Sequence, residues 1–347
     1  MSKHSAIRSR ATILDIAAAA NVSTATVDRV LNGRGGVKGR TLHRVMEAAE
    51  RLGYIDAVEA PPHYSAPLSL DFILPGGTNT FINNLAERIA EIAAKREHEA
   101  TIRVHRIEGF VAEALADCLA SLRGKSDGIA IIAIDHPLVR EAVRELSNDQ
   151  LPVLTLVSDI SNVPRIGYIG IDNRAAGRLA GHLMSRFVGQ GAGKIALFAG
   201  SLSYRGHEER EMGFRNILAE EFSNLTIVQM LEVRDDTERS YREACRLFAE
   251  VPDIRGIYNI GGGNRGIARA LEETGHAKAV VFIGHELTEH TRRFLLSGIM
   301  DAVIDQNPRV EAREAIDQLI RAARGESVSS TLPIRTHAIF RENIPEQ

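Results

Sequence analysis

Aromatic residues make up only 5% of the chain, and its 347 residues hold just two cysteines, Cys118 and Cys245. Two thiols so far apart exclude a disulfide framework and lack the short spacing of a zinc knuckle. They read as reduced, buried thiols of a cytoplasmic protein. No apolar run approaches the ~20 residues of a membrane helix, so no membrane partner is expected. The basic start MSKHSAIRSR is not followed by the apolar core and small-residue cleavage site of a secretory signal. Signatures of catalysis are missing too. There is no Ser-His-Asp elbow and no P-loop. His285-Glu286-Leu287-Thr288-Glu289-His290 fails as a zinc helix, because its second His stands at i+5 where one shared helical face requires i+4. The expectation is a protein that is not an enzyme and carries neither metal nor cofactor.

What is present is a soluble composition, 44% hydrophobic and 25% charged, on a chain too long for one ordinary core. The net charge of −3 is unevenly spread. Residues 1–57 carry nine Lys/Arg against five acids, a surplus of +4 that leaves −7 on the rest. A basic head on an acidic body is the asymmetry expected if only the head meets phosphate.

Within that head ILDIAAAA (13–20) favours a short helix, and Asn21 suits the left-handed position of a tight turn. Ser23 stands where an N-cap belongs, ahead of a helix over Thr24–Leu31. Val27, Val30 and Leu31 fall on its inner face, and Thr24, Ala25, Asp28 and Arg29 on the other. Asn32-Gly33 stops it. A third helix is expected from about Thr41 to Leu52, with Leu42, Val45, Ala49 and Leu52 as its apolar stripe, ended by Gly53. Helix, tight turn and capped helix make a helix-turn-helix candidate, whose second helix fits a major groove. An ordinary helical hairpin with a solvated charged face satisfies the same spacing.

The stretch ATILDIAAAANVSTATVDRVLNGRGGVKGRTLHRVMEAAERLGYI resembles, end to end and without gaps, the N-terminal domain of LacI-type repressors. The resemblance implies base contacts from Thr24, Ala25 and Arg29, and phosphate contacts from Thr12, Ser23, Asn32 and Thr41. Asp28 departs from it, since the family usually has Ser there. A carboxylate at that position repels phosphate or selects a cytosine amino group. The linker that follows, DAVEAPPHYSAPL, also departs. Pro61-Pro62 break a helix, and His63 falls near the leucine that relatives wedge into the minor groove. Weaker operator kinking is expected.

From Leu68 the chain alternates strand-like and helix-like stretches in two successive series, which implies two doubly wound lobes with ligands bound beyond the strands' carboxyl ends. LSLDFILP, TIRVHRI, GIAIIAI and PVLTLV read as strands buried on both faces. The region resembles periplasmic sugar-binding proteins and the effector domains of LacI-type repressors, with YIGIDNRAAGRLAGHL and DAVIDQNP as its better matches. By position the resemblance places Asn79, Phe81, Asp135, His136, Tyr204, Arg205, Asn264, Glu286 and Gln306 around an effector cleft. The family arginine usually lies beyond Arg205, near Glu208 to Arg210, and its acid is usually Asp where Glu286 stands.

The expected architecture is an all-α helix-turn-helix head (1–57), a linker (58–67) and an α/β two-lobed periplasmic-binding-protein-like domain (68–347) with two doubly wound parallel sheets. Lobe 1 takes about 68–171 plus 305–323, and lobe 2 about 173–303 plus the C-terminal strands. The expected function is a ligand-responsive repressor of a sugar or polyol uptake or catabolism operon, a homodimer on double-stranded operator DNA. Two rivals stand beside it. Gly261-Gly262-Gly263-Asn264-Arg265-Gly266 matches G-x-G-x-x-G, and Glu286 follows twenty residues after Gly266, the spacing of an NAD-binding oxidoreductase. A solute-binding protein without DNA function would explain the body but not the head.

Overall fold

The computed structural model describes residues 11–32, 34, 37, 39–55, 67–328 and 334–346. Three helices form the head: α1 (Ile13–Ala20), α2 (Thr24–Leu31) and α3 (Gly39–Arg51). Local chemistry fixes their ends. Thr12 and Asp15 form a capping box at the start of α1, and Asn21 closes it in the left-handed conformation at φ 51°. Ser23 accepts the Thr26 amide at the start of α2. Ile16, Ala17, Ala20, Val27, Val30, Val45, Ala48 and Ala49 make a separate small core. Leu52 is a correction. Helix α3 ends at Arg51, so helical spacing no longer directs the next side chain, and Leu52 is 38% exposed. Ala48 is buried in the stripe with Val45 and Ala49. Gly33 and residues 56–66, with Pro61, Pro62 and His63, lie outside the described residues.

The body starts with β1 (Leu68–Pro75), α4 (Thr80–Lys95), β2 (Ala100–Ile107), α5 (Ala112–Leu122), β3 (Gly128–Ile131), α6 (Pro137–Asn148), β4 (Val153–Leu156) and β5 (Gly167–Ile169). These strands pair in parallel in the order β2-β1-β3-β4-β5. The chain continues with α7 (Asn173–Val188), β6 (Gly193–Ala199), α8 (Arg205–Glu221), β7 (Leu225–Glu232), α9 (Thr237–Glu250), β8 (Ile254–Asn259), α10 (Asn264–Glu273), β9 (Val281–His285), α11 (Glu289–Ser297), β10 (Ala302–Asp305), α12 (Pro308–Ala323) and β11 (His337–Ile339). The second sheet has the order β11-β10-β9-β8-β6-β7. It is not wholly parallel, because β11 runs antiparallel to β10.

Both sheets are covered on both faces, as period-2 alternation along their strands requires. On β1, Leu70, Phe72 and Leu74 pack toward α4 and α12, whereas Ile73 faces α5 and α6. On β6, Ala196 and Phe198 join the α9–α10 core, and Ile195, Leu197 and Ala199 the α7–α8 core. The expectation of full burial fails for β2, which lies at the edge of its sheet and stays partly exposed; β7, at the edge of the second sheet, is partly exposed in the same way. Asp71, buried on β1, is held by Arg103 at 2.8 Å and His105 at 2.7 Å on β2. Burial works against its charge, but those hydrogen bonds outweigh it and keep the carboxyl below its usual range.

The chain passes between the sheets at Gly170–Asp172 and at Gln306–Asn307, and once more between α12 and β11. The last passage lies along the first, through a parallel bridge between Ile171 and Ile334. Helices α7 and α8 cross closely. A Cβ on Gly177 would sit 2.0 Å from the Arg210 carbonyl, and one on Gly213 would sit 2.1 Å from the Arg174 carbonyl. That approach sets Asn173 beside Arg210. Among the described residues no helix is long and apolar enough to cross a membrane.

Candidate functional site

In each sheet the strand order reverses once, between β1 and β3 in the first and between β6 and β8 in the second. Ligand crevices in such sheets form outside the strands' carboxyl ends at these points. Here the two ends face one another across one cleft. Its wall takes Thr78–Ile82 after β1, Val157 and Ser158 after β4, Arg210 of α8, Asp235 after β7, Gly261–Arg265 after β8, His285 and Glu286 at β9, and Gln306 after β10. The cavity measures about 110 Å³, room for about four water molecules.

The deepest wall is polar and incompletely paired. Arg210, 4% exposed, donates to Asn173 Oδ1 at 2.7 Å and to the Ile260 carbonyl at 2.9 Å. Its remaining arm lies 3.8 Å from Glu286, too far for a hydrogen bond. Gln306 donates to Glu286 Oε1 at 2.6 Å. Among the described residues, the buried wall atoms Glu286 Oε2, Gln306 Oε1 and His285 Nδ1 have no hydrogen-bond partner; Asn259 Oδ1 and both carboxyl oxygens of Glu311, which do not line the cleft, have none either. Such groups are expensive to keep dry and unpaired. Burial pushes the Glu286 carboxyl up to about 8, an effect that nearby Arg210 only partly offsets. Burial also drives Glu311 well above, and His285 well below, their usual ranges.

Backbone strain collects at the same place. Nine described non-glycine residues have positive φ; four are Asn or Gln, and the other five are Phe110, Val157, Arg234, Asp235 and Glu286, all on the cleft wall. A left-handed Val or Phe is costly, and it persists only where the surroundings over-determine it. Glu286, at φ 70°, is held by its amide on the Ile304 carbonyl (2.9 Å) and by Thr291 Oγ1 on its own carbonyl (2.7 Å).

Asn79, Phe81, Tyr204, Asn264, Glu286 and Gln306 all line this cleft. Asn79 caps α4 through the Phe81 and Ile82 amides and donates to Asp235 Oδ2 at 2.8 Å. The Tyr204 ring packs edge-on against Phe110, 5.2 Å away. Asn264 donates to the His285 carbonyl at 3.1 Å. Three other expected residues are not on the wall, each for a local reason. Asp135 turns to Arg140 and Ser161, both at 2.6 Å. His136 caps α6 by accepting the Leu138 amide. Arg205 binds Glu209 at 2.8 Å on its own helix, and Arg210, five residues on and so about 140° around the helix, is the arginine that faces inward. Asp235, His285, Ser158 and Thr291 line the cleft without any sequence motif to announce them.

The glycine loop has an occupant from its own chain. The Gly262 amide donates to Asp235 Oδ1 at 2.7 Å. A Cβ on Gly261 would lie 2.7 Å from that oxygen, and one on Gly262 would lie 2.8 Å from the Asp235 Cβ. The first two glycines of the G-x-G-x-x-G stretch therefore cradle a carboxylate where a dinucleotide would need its pyrophosphate.

On the head, Thr12, Ser23, Thr24, Ala25, Arg29 and Asn32 are exposed, and Thr41 is partly exposed in the first turn of α3. The Arg29 side chain makes no hydrogen bond or ion pair among the described residues, though its carbonyl accepts the Arg34 amide at 2.8 Å. Asp28 is engaged: its carboxylate accepts the Asn32 amide at 2.7 Å and pairs with Arg34 at 3.2 Å. Two donors within the head therefore already occupy it.

Known proteins share both regions. Residues 12–56 match the description of bacterial regulatory proteins of the lacI family, and residues 70–327 that of a periplasmic binding protein domain. The HTH-type transcriptional regulator pepR1 of Lactobacillus delbrueckii subsp. lactis is 30% identical over 250 residues, 72% of this chain and 67% of that protein. Catabolite control protein A of Priestia megaterium is 29% identical over 276 residues, 79% of this chain and 73% of that one. An ABC transporter solute-binding protein from Burkholderia graminis, solved in complex with D-arabinose, superposes with a TM-score of 0.75 at 20% identity, covering 82% of this chain and 98% of that one.

Proposed function

The chain belongs to the lacI family of bacterial regulatory proteins, with a periplasmic binding protein domain as its body, and from that premise we propose that it is an effector-responsive repressor of a sugar or polyol operon. The observation that carries the effector class is the set of unpaired buried groups on the cleft wall. Polyol hydroxyls both donate and accept, so one small molecule supplies Glu286, Gln306, His285 and the free arm of Arg210 with the partners they lack. The B. graminis protein of like fold was solved with D-arabinose.

The exposed face of α2 is read as the groove-facing surface. Thr24, Ala25 and Arg29 are offered to base edges, with Thr12, Ser23, Asn32 and Thr41 to phosphates. Head, linker and body divide at about 57 and 67. A homodimer presents two such heads to a pseudo-palindromic operator in the cytoplasm, and each weak head gains from the tether to the other. Effector bound between the sheets favours one relative position of the lobes. It shifts operator affinity by its differential binding to the two states.

A band-shift titration against DNA flanking the protein's own gene should give a specific complex that deletion of residues 1–57 abolishes. Retained binding after that deletion would overturn the DNA reading. A thermal-shift screen of sugars and polyols should raise the melting temperature with the true effector, which should then change the band shift.

A further inference from the structure

Asp235 is built into the cleft more tightly than any role assigned so far requires. It follows β7 in a turn where Arg234 and Asp235 are both left-handed, at φ 53° and 54°. Neither residue type favours that conformation in succession. Glycines surround its carboxylate. A Cβ on Gly200 would come within 2.3 Å of Asp235 Oδ1, and Gly261 and Gly262 leave equally little room. On its own side of the cleft, Asp235 Oδ1 takes the Gly262 amide at 2.7 Å. Its other oxygen takes the amide of Asn79 at 2.8 Å, from the loop after β1 on the opposite side, and Thr78 Oγ1 reaches the Asp235 carbonyl at 3.3 Å. Other contacts across the cleft come from the segment before α8 and from its first turn: the Asp135 amide on the Ser203 carbonyl, the Gly206 amide on Ser158, and Tyr204 against Phe110. The Asp235 bridge stands on a different strand end.

We propose that Asp235 is the closure latch of the cleft: a carboxylate fixed by the glycine loop of one lobe that captures Asn79 of the other. It acts as a positioning residue, setting the population of the closed form and through it the affinity for effector. Three features that otherwise lack a reason then share one. Gly261 and Gly262 carry no side chains so that a carboxylate fits. The turn is strained because it must aim that carboxylate at the opposite lobe. Asn79 caps α4 with its oxygen, which leaves its amide to cross the cleft. The same carboxylate makes the glycine loop a poor seat for a phosphate, since two anions would share it. The proposal rests on reading the cleft as the effector site, but its test needs neither effector nor DNA.

Asn79→Asp and Asn79→Ser separate latch from cap. Both keep an oxygen for the Phe81 and Ile82 amides, so the cap on α4 survives. Serine loses the donor, and aspartate sets a second carboxylate against Asp235. Hydrogen exchange of the full chain, read by mass spectrometry, should quicken at 76–82, at 233–237 and at 261–264, more in Asn79→Asp than in Asn79→Ser, with loss of protection at the Gly262 amide. Exchange unchanged in both variants overturns the proposal. So does a change confined to the first turn of α4, which is the signature of a cap alone. If Asn79→Asp does not fold, Asn79→Ser with Thr78→Val decides by the same readout. Loss of operator binding on deleting residues 1–57 tests the DNA reading separately, so the two can fail independently.

Discussion

The head and the cleft keep their working side chains in opposite states. On α2, Arg29 stands in water with no side-chain partner among the described residues, its backbone regular and its helix ends capped. In the cleft, Glu286, Gln306 and His285 are dry, each has a polar atom with no partner, and Glu286 sits on strained backbone. A surface built the first way exchanges water for phosphate and base edges at little cost to its own fold. It can be altered without unfolding anything, and its binding is salt-dependent. A site built the second way stores destabilisation that only a matching ligand relieves, so its residues answer to stability as much as to affinity.

Four substitutions set the two regions against each other. The largest effect is expected from Arg210→Met. It strips the Asn173 oxygen and the Ile260 carbonyl of a buried donor and removes the cation beside Glu286, for a loss of about 3 kcal/mol in urea unfolding. Operator binding at low temperature should survive while effector response is lost. Arg29→Ala should do the reverse, costing about 1–3 kcal/mol in operator affinity by band shift with an unchanged melting temperature. Should Arg29→Ala also destabilise the chain, the contrast between the regions collapses.

The third is a pH effect. Glu286 titrates at about 8 in the fold against 4.5 in the unfolded reference, so the folded chain holds an extra proton between those values. Its contribution to stability is full below pH 4.5 and is lost as pH rises toward 8. Glu286→Gln should flatten the fall of melting temperature over that window. Part of the slope should remain, because burial raises the Glu311 carboxyl as well. The smallest effect is expected from Asp28→Ser. Its ion pair with Arg34 is exposed and worth less than about 1 kcal/mol, so stability should hold. Binding-site selection should show a changed preference at one base pair, because Asn32 and Arg34 are released. Unchanged selection would mean that the carboxylate reads nothing.

The contrast also explains what could be read from the sequence. In the head, Ser23, Asn21 and the Val27–Val30–Leu31 spacing act within one helix or turn, so neighbours in sequence are neighbours in space, and α1 and α2 begin and end at the expected residues. Leu52 misled because the stripe ran past the point where the helix stopped. The cleft gathers single residues from the ends of many strands, and nearness to a strand end does not fix the direction of a side chain. Asp135 and His136 follow β3 yet turn to Arg140 and to the start of α6. Arg205 and Arg210 share a helix, but only one looks inward. Asp235 carries no motif of its own. The glycines that shape its seat were legible, as a phosphate loop, because a backbone that leaves room for one anion leaves room for another.

The parallel passages at Ile171 and Ile334 have a mechanical reading. Chain segments lying side by side bend together far more readily than they twist about one another. A joint of that kind would favour one angle of motion over the others, less like beads on a string than like a door on its pins. Effectors of unequal size could change how far such a door swings, but not the direction in which it swings. The head would receive one kind of message, whatever molecule sent it.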